Sequence, residues 1–259
     1  MMSSSIAVHW SLKLLGCWGL EREHQQAIVA FRQQRLIAAL ALKGGRRRSS
    51  IAGLLWPDCT EVQASGSLRA CLWNIAHQLP GLLEPASDPL SLAQTVSIDV
   101  AELTGRMDLV NRGATIPTGL ADQLRGANLL PGWHEEWLWP DQERLNRLRI
   151  ATLENLAGRF LATGQLDAAL EAATTASELD PLRESAQRML LRIHLAAGNN
   201  GSAIRSYRSY LAVLGHECGV RPSAGITDLI RPLLQVPQEQ SPTPPLGAGL
   251  GVGLRPSFD

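Results

Sequence analysis

A spacing of 34 residues runs through the second half of the chain. Leu156 recurs as Leu190, Leu161, Ala162 and Gly164 recur as Leu195, Ala196 and Gly198, and Ala169 with Leu170 recurs as Ala203 with Ile204. A period of this length is that of a unit made of two antiparallel helices, packed closely through small residues. Such a unit cannot cover its own apolar face, so units stack on one another and the region must be a helical array. Asp180-Pro181 falls between the two units, where proline breaks the helix. Two units are fewer than the roughly three that a stable array needs. Helices expected at 99–110, 120–128 and 223–234 therefore serve as further layers or caps, and a long helix starting between Glu135 and Asp141 opens the first unit.

The first hundred residues follow a different pattern. Residues 8–31 alternate loosely between apolar and polar, with Gly16 and Gly19 interrupting, which predicts short antiparallel strands. "FRQQRLIAALAL" then places Leu36, Ile37, Leu40 and Ala41 on one helical face, and Gly44 and Gly45 stop that helix. A second helix, with Ser49 or Ser50 as its N-cap, runs through Leu54, Leu55 and Trp56 to Pro57. A third is written in "SLRACLWNIAHQLP", residues 67–80. Leu68, Leu72, Ile75, Ala76 and Leu79 make its buried stripe, and Arg69, Ala70, Trp73, Asn74 and His77 face outward. Beyond the Asp88-Pro89 turn, alternation at Leu90 and Leu92 and again at Val96, Ile98 and Val100 predicts a β-hairpin. Sheet, three helices, hairpin is the order of a winged helix-turn-helix domain, whose third helix enters the major groove.

Charge points the same way. The net formal charge of the 259 residues is zero, yet residues 1–80 hold nine Lys or Arg against four acids. A basic first half invites a polyanionic partner. Arg46, Arg47 and Arg48 stand directly before a helix N-terminus, where backbone N–H groups also favour anions, and are suited to gripping phosphate. Arg69 and Asn74 are candidate base or phosphate contacts, with Trp73 and His77 supporting them.

Other classes find little support. No G-x-x-x-x-G-K-[ST] loop, no G-x-G-x-x-G after a strand and no G-x-S-x-G elbow occurs, so no enzyme and no cofactor is expected. Cys17, Cys59, Cys71 and Cys218 are scattered and read as free thiols, with no metal site. His134, Glu135 and Glu136 are not a metal motif, and the acids are expected at a helix start. Trp133, Trp137 and Trp139 are expected in core or interdomain packing. No apolar run reaches the ~20 residues of a membrane span, and the first ten residues lack a secretory pattern, so the expected address is cytoplasmic.

"GGRRRSSIAGLLWPD" and "GSLRACLWNIAHQLPGLLE", followed by "LLPGWHEEWLWPDQERLNRLRIATLENLA", "DPLRE" and "YRSYLAVLGHECGVRPS", resemble bacterial transcription factors of the antibiotic-regulatory-protein type. The resemblance covers roughly residues 10–232 and is strongest in the second half. It implies a winged-helix DNA-binding domain over 8–100, a tetratricopeptide-like bacterial transcriptional activator domain over 101–235 and a Pro/Gly-rich disordered tail over 236–259. The fold class is thus mostly α, with an α+β head and an all-α second domain. The implied function is that of a pathway activator binding promoter repeats in double-stranded DNA, with RNA polymerase and a second copy of the chain as further partners. One departure stands out: the family's L-W-R-L-R-R-A-L pattern after the tryptophan is replaced here by Asn74, Ala76 and His77, which leaves less charge for phosphate. The rival reading is a protein-interaction adaptor whose DNA-binding domain has degenerated.

Overall fold

The computed structural model describes residues 9–85 and 88–235, so the segments before and after, including the expected tail, lie outside the described residues. Strand β1 (Trp10–Lys13) pairs antiparallel with β2 (Gly19–Arg22), and β2 with β3 (Gln25–Gln26). The period-two pattern appears as buried Trp10 and Leu12 between exposed Ser11 and Lys13, with Leu12 opposite Leu20. Glu23 and His24, both at positive φ, close the β2–β3 hairpin in two residues, as the twist of such a turn requires.

Three helices follow, α1 (Phe31–Lys43), α2 (Arg48–Leu55) and α3 (Glu61–Gln78). Neither Ser49 nor Ser50 caps α2: Arg47 occupies the N-cap position and both serines lie inside the helix. The last helix begins six residues before Ser67, at Glu61. Thr60 and Gln63 form a capping box, in which Thr60 Oγ1 accepts from Gln63 N–H and Gln63 Oε1 accepts from Thr60 N–H.

The strand pair after α3 departs from expectation. Leu83 bridges Leu92, supported by Glu84 N–H to Ser91 O at 3.1 Å and Ala93 N–H to Leu82 O at 2.9 Å, so the antiparallel wing pairs 82–84 with 91–93. Strand β4 (Ser97–Ile98) instead runs parallel to β1 and completes a sheet ordered β3-β2-β1-β4. Val96 and Val100 are buried because this stretch enters the core beside β1, and Val100 already belongs to the next helix. Its alternation reports sheet burial, not a second hairpin arm.

The remainder is helical: α4 (Asp99–Asn111), α5 (Leu120–Gly126), α6 (Trp139–Ala162), α7 (Leu166–Leu179), α8 (Glu184–Ala196), α9 (Asn200–Cys218) and α10 (Ala224–Leu234). The 34-residue period is repeated bond by bond. Gly164 N–H donates to Leu161 O and Gly198 N–H to Leu195 O, Gln165 N–H to Phe160 O and Asn199 N–H to His194 O, Ala169 N–H to Gln165 O and Ala203 N–H to Asn199 O. Gly164 and Gly198 take φ +74° and +70°, a left-handed turn that lets each pair fold back on itself. Ala169 and Ala203 are fully buried, giving α6 and α8 close approach to α7 and α9. A second, smaller core of Leu191, Ala203, Tyr207, Tyr210, Leu214, Ile226 and Ile230 lies under α10, which caps the array. Arg149 of α6, 3% exposed, closes the carboxyl end of α5 by donating to Leu124 O and Arg125 O and to Asn128 Oδ1.

One buried cluster extends without interruption from Trp10 to Ile193, joining the head to the array. Arg35 of α1 donates to Glu135 Oε2 at 2.6 Å and to Leu55 O at 2.8 Å, and Lys43 pairs with Asp141 at 2.6 Å. Phe31 meets Trp133 edge-on at 5.1 Å, and Trp137 is buried with its indole N–H on Glu135. Glu135 therefore serves the joint between the halves, and the acid in the first turn of α6 is Asp141. Trp139 is 56% exposed, contrary to the packing expected of it. It sits two positions, about 200° around the helix, from Asp141 on the packed face.

Candidate nucleic-acid interface

The buried side of α3 is set by Ala64, Leu68, Cys71, Ile75 and Leu79, spaced four, three, four and four residues apart. Cys71 lies on this stripe and Ala76, expected there, is exposed. At 100° per residue the stripe centres opposite a solvent face formed by Val62, Gly66, Arg69, Ala70, Trp73, Ala76 and His77. Burial pushes the Cys71 thiol above its ordinary value, an effect only partly countered by Arg32 and Arg35, so this cysteine is a packing residue.

Of the sequence candidates, Arg69, Trp73 and His77 share the outward row. Trp73 is 63% exposed and packs on its own helix, its ring centroid 4.1 Å from that of His77 at an interplanar angle of 33°. His77 Nδ1 lies 2.7 Å from Trp73 O, an acceptor, so this nitrogen carries the proton and Nε2 is left facing away. Asn74 lies about 100° from Trp73 on the half-buried flank rather than in the centre of the face. Neither Arg69 nor Asn74 has a side-chain hydrogen bond or ion pair among the described residues.

The triple arginine lies on the opposite flank. Arg46 is held by its backbone, N–H to Leu90 O at 3.0 Å and O to Leu90 N–H at 2.8 Å, which ties the turn before α2 to the wing. Arg47 and Arg48 occupy the N-cap and first position of α2, and all three side chains are exposed with no partner among the described residues. Arg48 also lines a groove of about 370 Å³ whose walls include Leu72 and Ala76 of α3, Leu79 at its end, and Leu83, Glu84 and Leu90 of the wing. The fold thus sets α3 between a row of free guanidinium groups and wing on one side and Asn74 on the other.

Val62, 79% exposed at the start of α3, extends this face and is absent from the sequence candidates because the helix is expected to begin later. The spacing of Thr60 and Gln63 carries the signal that would have found it, since a capping box places Glu61 and Val62 inside the helix. Among the described residues no group of three or more His, Cys, Asp or Glu could hold a metal ion, and no helix is long and apolar enough to cross a membrane.

Three comparisons bear on this arrangement. The family model for the bacterial transcriptional activator domain matches residues 119–234, from the approach to α5 through α10. The regulatory protein AfsR of Streptomyces coelicolor is 25% identical over a match covering 78% of this chain, which spans 22% of the length of that relative. Among solved structures, Mycobacterium tuberculosis EmbR in complex with a low-affinity phosphopeptide superimposes with a TM-score of 0.65 at 18% identity, over 88% of this chain and 65% of that one. The last shows a shared fold that includes the head as well as the helical array. The comparisons thus show a bacterial transcriptional activator domain over residues 119–234, set in an architecture shared with EmbR and in a chain similar in sequence to AfsR.

Proposed function

We propose that the chain is a sequence-specific DNA-binding regulator, acting as a pathway activator at promoter repeats. In this reading residues 8–100 are the reading head, and 101–235 the helical module that contacts RNA polymerase and pairs copies of the chain on DNA. It works in the cytoplasm and catalyses no reaction. The observation that carries the reading is the exposed face of α3, flanked by Arg46, Arg47, Arg48 and the wing, with every one of these arginines free of a counter-ion among the described residues. A helix presented in this way fits a major groove, while arginines at the amino end of α2 meet the phosphates beside it.

The chemistry separates positioning from reading. Arg46, Arg47 and Arg48 supply sequence-independent attraction, and Arg69 and Asn74 are the groups with bidentate hydrogen-bonding geometry for base edges. The test is selection of binding sites from a random duplex pool by the full chain, repeated with Arg69→Ala. The reading expects an enriched motif, with one position losing its preference in the variant. Equal weak binding to all sequences at ~150 mM salt would overturn it.

A further inference from the structure

The outward face of α3 has few groups that can hydrogen-bond a base. Val62, Gly66, Ala70 and Ala76 present only carbon, and Trp73 presents a ring that is 63% exposed. Arg69 is the one charged side chain in the centre of the face, and His77 offers one outward ring nitrogen. A face of this composition has little with which to read guanine repeatedly, because guanine is recognised by donors directed at its O6 and N7. Its complement in the major groove is the one base-edge group made of carbon, the C5-methyl of thymine.

Resting on the DNA-binding reading above, we infer that α3 recognises its site chiefly through thymine methyl groups, with Trp73 as the specificity-determining contact and Arg69 marking a single guanine. Trp73 is held ready for this. Its ring lies against His77, and His77 is itself fixed by donating to the Trp73 carbonyl oxygen, so the exposed indole is braced from within its own helix. Ala70 and Ala76 flank it on the same face and leave room for the groove edge to approach the helix. His77 is a positioning residue for Trp73. The arginines and the wing, on the Ala76 flank, supply the phosphate contacts that the centre of the helix lacks.

The test uses the full chain and the site that it selects from a random pool. Each thymine of that site is replaced in turn by deoxyuridine, which removes the methyl and keeps the base pair, and affinity is read by fluorescence anisotropy at fixed salt. At one or more positions the loss should be about fourfold, the worth of burying one carbon. Trp73→Ala, at an exposed site that adds nothing to the core, should bind with thymine and deoxyuridine equal at its position. Arg69→Ala should keep the deoxyuridine effect and lose the guanine preference by about tenfold. His77→Ala should show a reduced methyl effect. If a site is selected and every deoxyuridine substitution is neutral, methyl recognition is overturned while DNA binding stands. If no site is selected at all, the DNA-binding reading has failed and this inference with it.

Discussion

Removing the three arginines before α2 should change how binding depends on salt more than it changes binding at any one salt concentration. Arg46, Arg47 and Arg48 are exposed and have no protein partner among the described residues, which leaves their guanidinium groups available to phosphate. For every phosphate left without its arginine, the slope of log K against log salt should fall by about 0.9. Between 50 and 200 mM salt, a fourfold change, one such arginine then accounts for a roughly 3.5-fold change in affinity, and three together for about 40-fold. The triple variant R46A/R47A/R48A should therefore bind less tightly at low salt, and converge on the parent chain as salt rises. Because these side chains are no part of the core, stability should stay within about 0.5 kcal/mol. The assay is anisotropy titration of one duplex at four or more salt concentrations, with thermal unfolding alongside. Arg147, paired with Glu143, and Arg183, paired with Glu154, serve as controls whose replacement by alanine should leave the slope unchanged. A slope reduced by less than about one in the triple variant would refute the reasoning, because the phosphate path would then run elsewhere.

Further outcomes follow from the helical half. Arg149→Met keeps the stem but leaves the carbonyls of Leu124 and Arg125 without their donor, and should cost about 3 kcal/mol in urea unfolding. Gly198→Ala should cost about 1 kcal/mol from backbone strain alone, because the residue sits at φ +70° and an added Cβ would meet nothing within 4 Å. Acid should loosen α10 in two stages, measurable by hydrogen exchange. Burial, reinforced by Arg205, holds the His194 imidazole below its ordinary 6.5, so the unfolded chain takes up more protons and stability falls as pH drops through that value. Burial alone would raise the Glu184 carboxyl, but hydrogen bonds from Ser223 and Arg188 outweigh it and hold the group below 4.5. The contribution of this carboxylate is complete above pH 4.5 and is lost below it, and Glu184→Gln should abolish the second stage. Ala76→Arg with His77→Arg should shift the selected site toward guanine and steepen the salt dependence by up to about two units.

The parts of the fold that can be read from the sequence are those made of neighbours. The 34-residue period is legible because the bonds that create it, from Gly164 to Leu161 and from Gly198 to Leu195, close within one turn. The helices of the head are legible for the same reason, through their stripes and glycine stops. The wing is misplaced by periodicity because alternation at Val96, Ile98 and Val100 has the same form whether the partner is an adjacent arm or β1, some 86 residues away. Glu135 reads as a helix-start acid because its true partner, Arg35, stands 100 positions earlier in the chain. On α3 the outward placement of Arg69, Trp73 and His77 follows from period alone. The exposure of Ala76 does not, since an alanine on the border of a stripe fits either side and only the position of Cys71 decides it.

The Arg35 side chain reaches in two directions from α1. One nitrogen, Nη2, serves both the Leu55 carbonyl that ends α2 and the Glu135 carboxylate in the segment leading to α6. A load that drags the stretch 133–138 outward must either strip that carbonyl of its donor or haul the end of α2 along with it. The turn that launches α3 is thereby coupled to the helical array like a rudder to its tiller, with this guanidinium as the polar link in the joint.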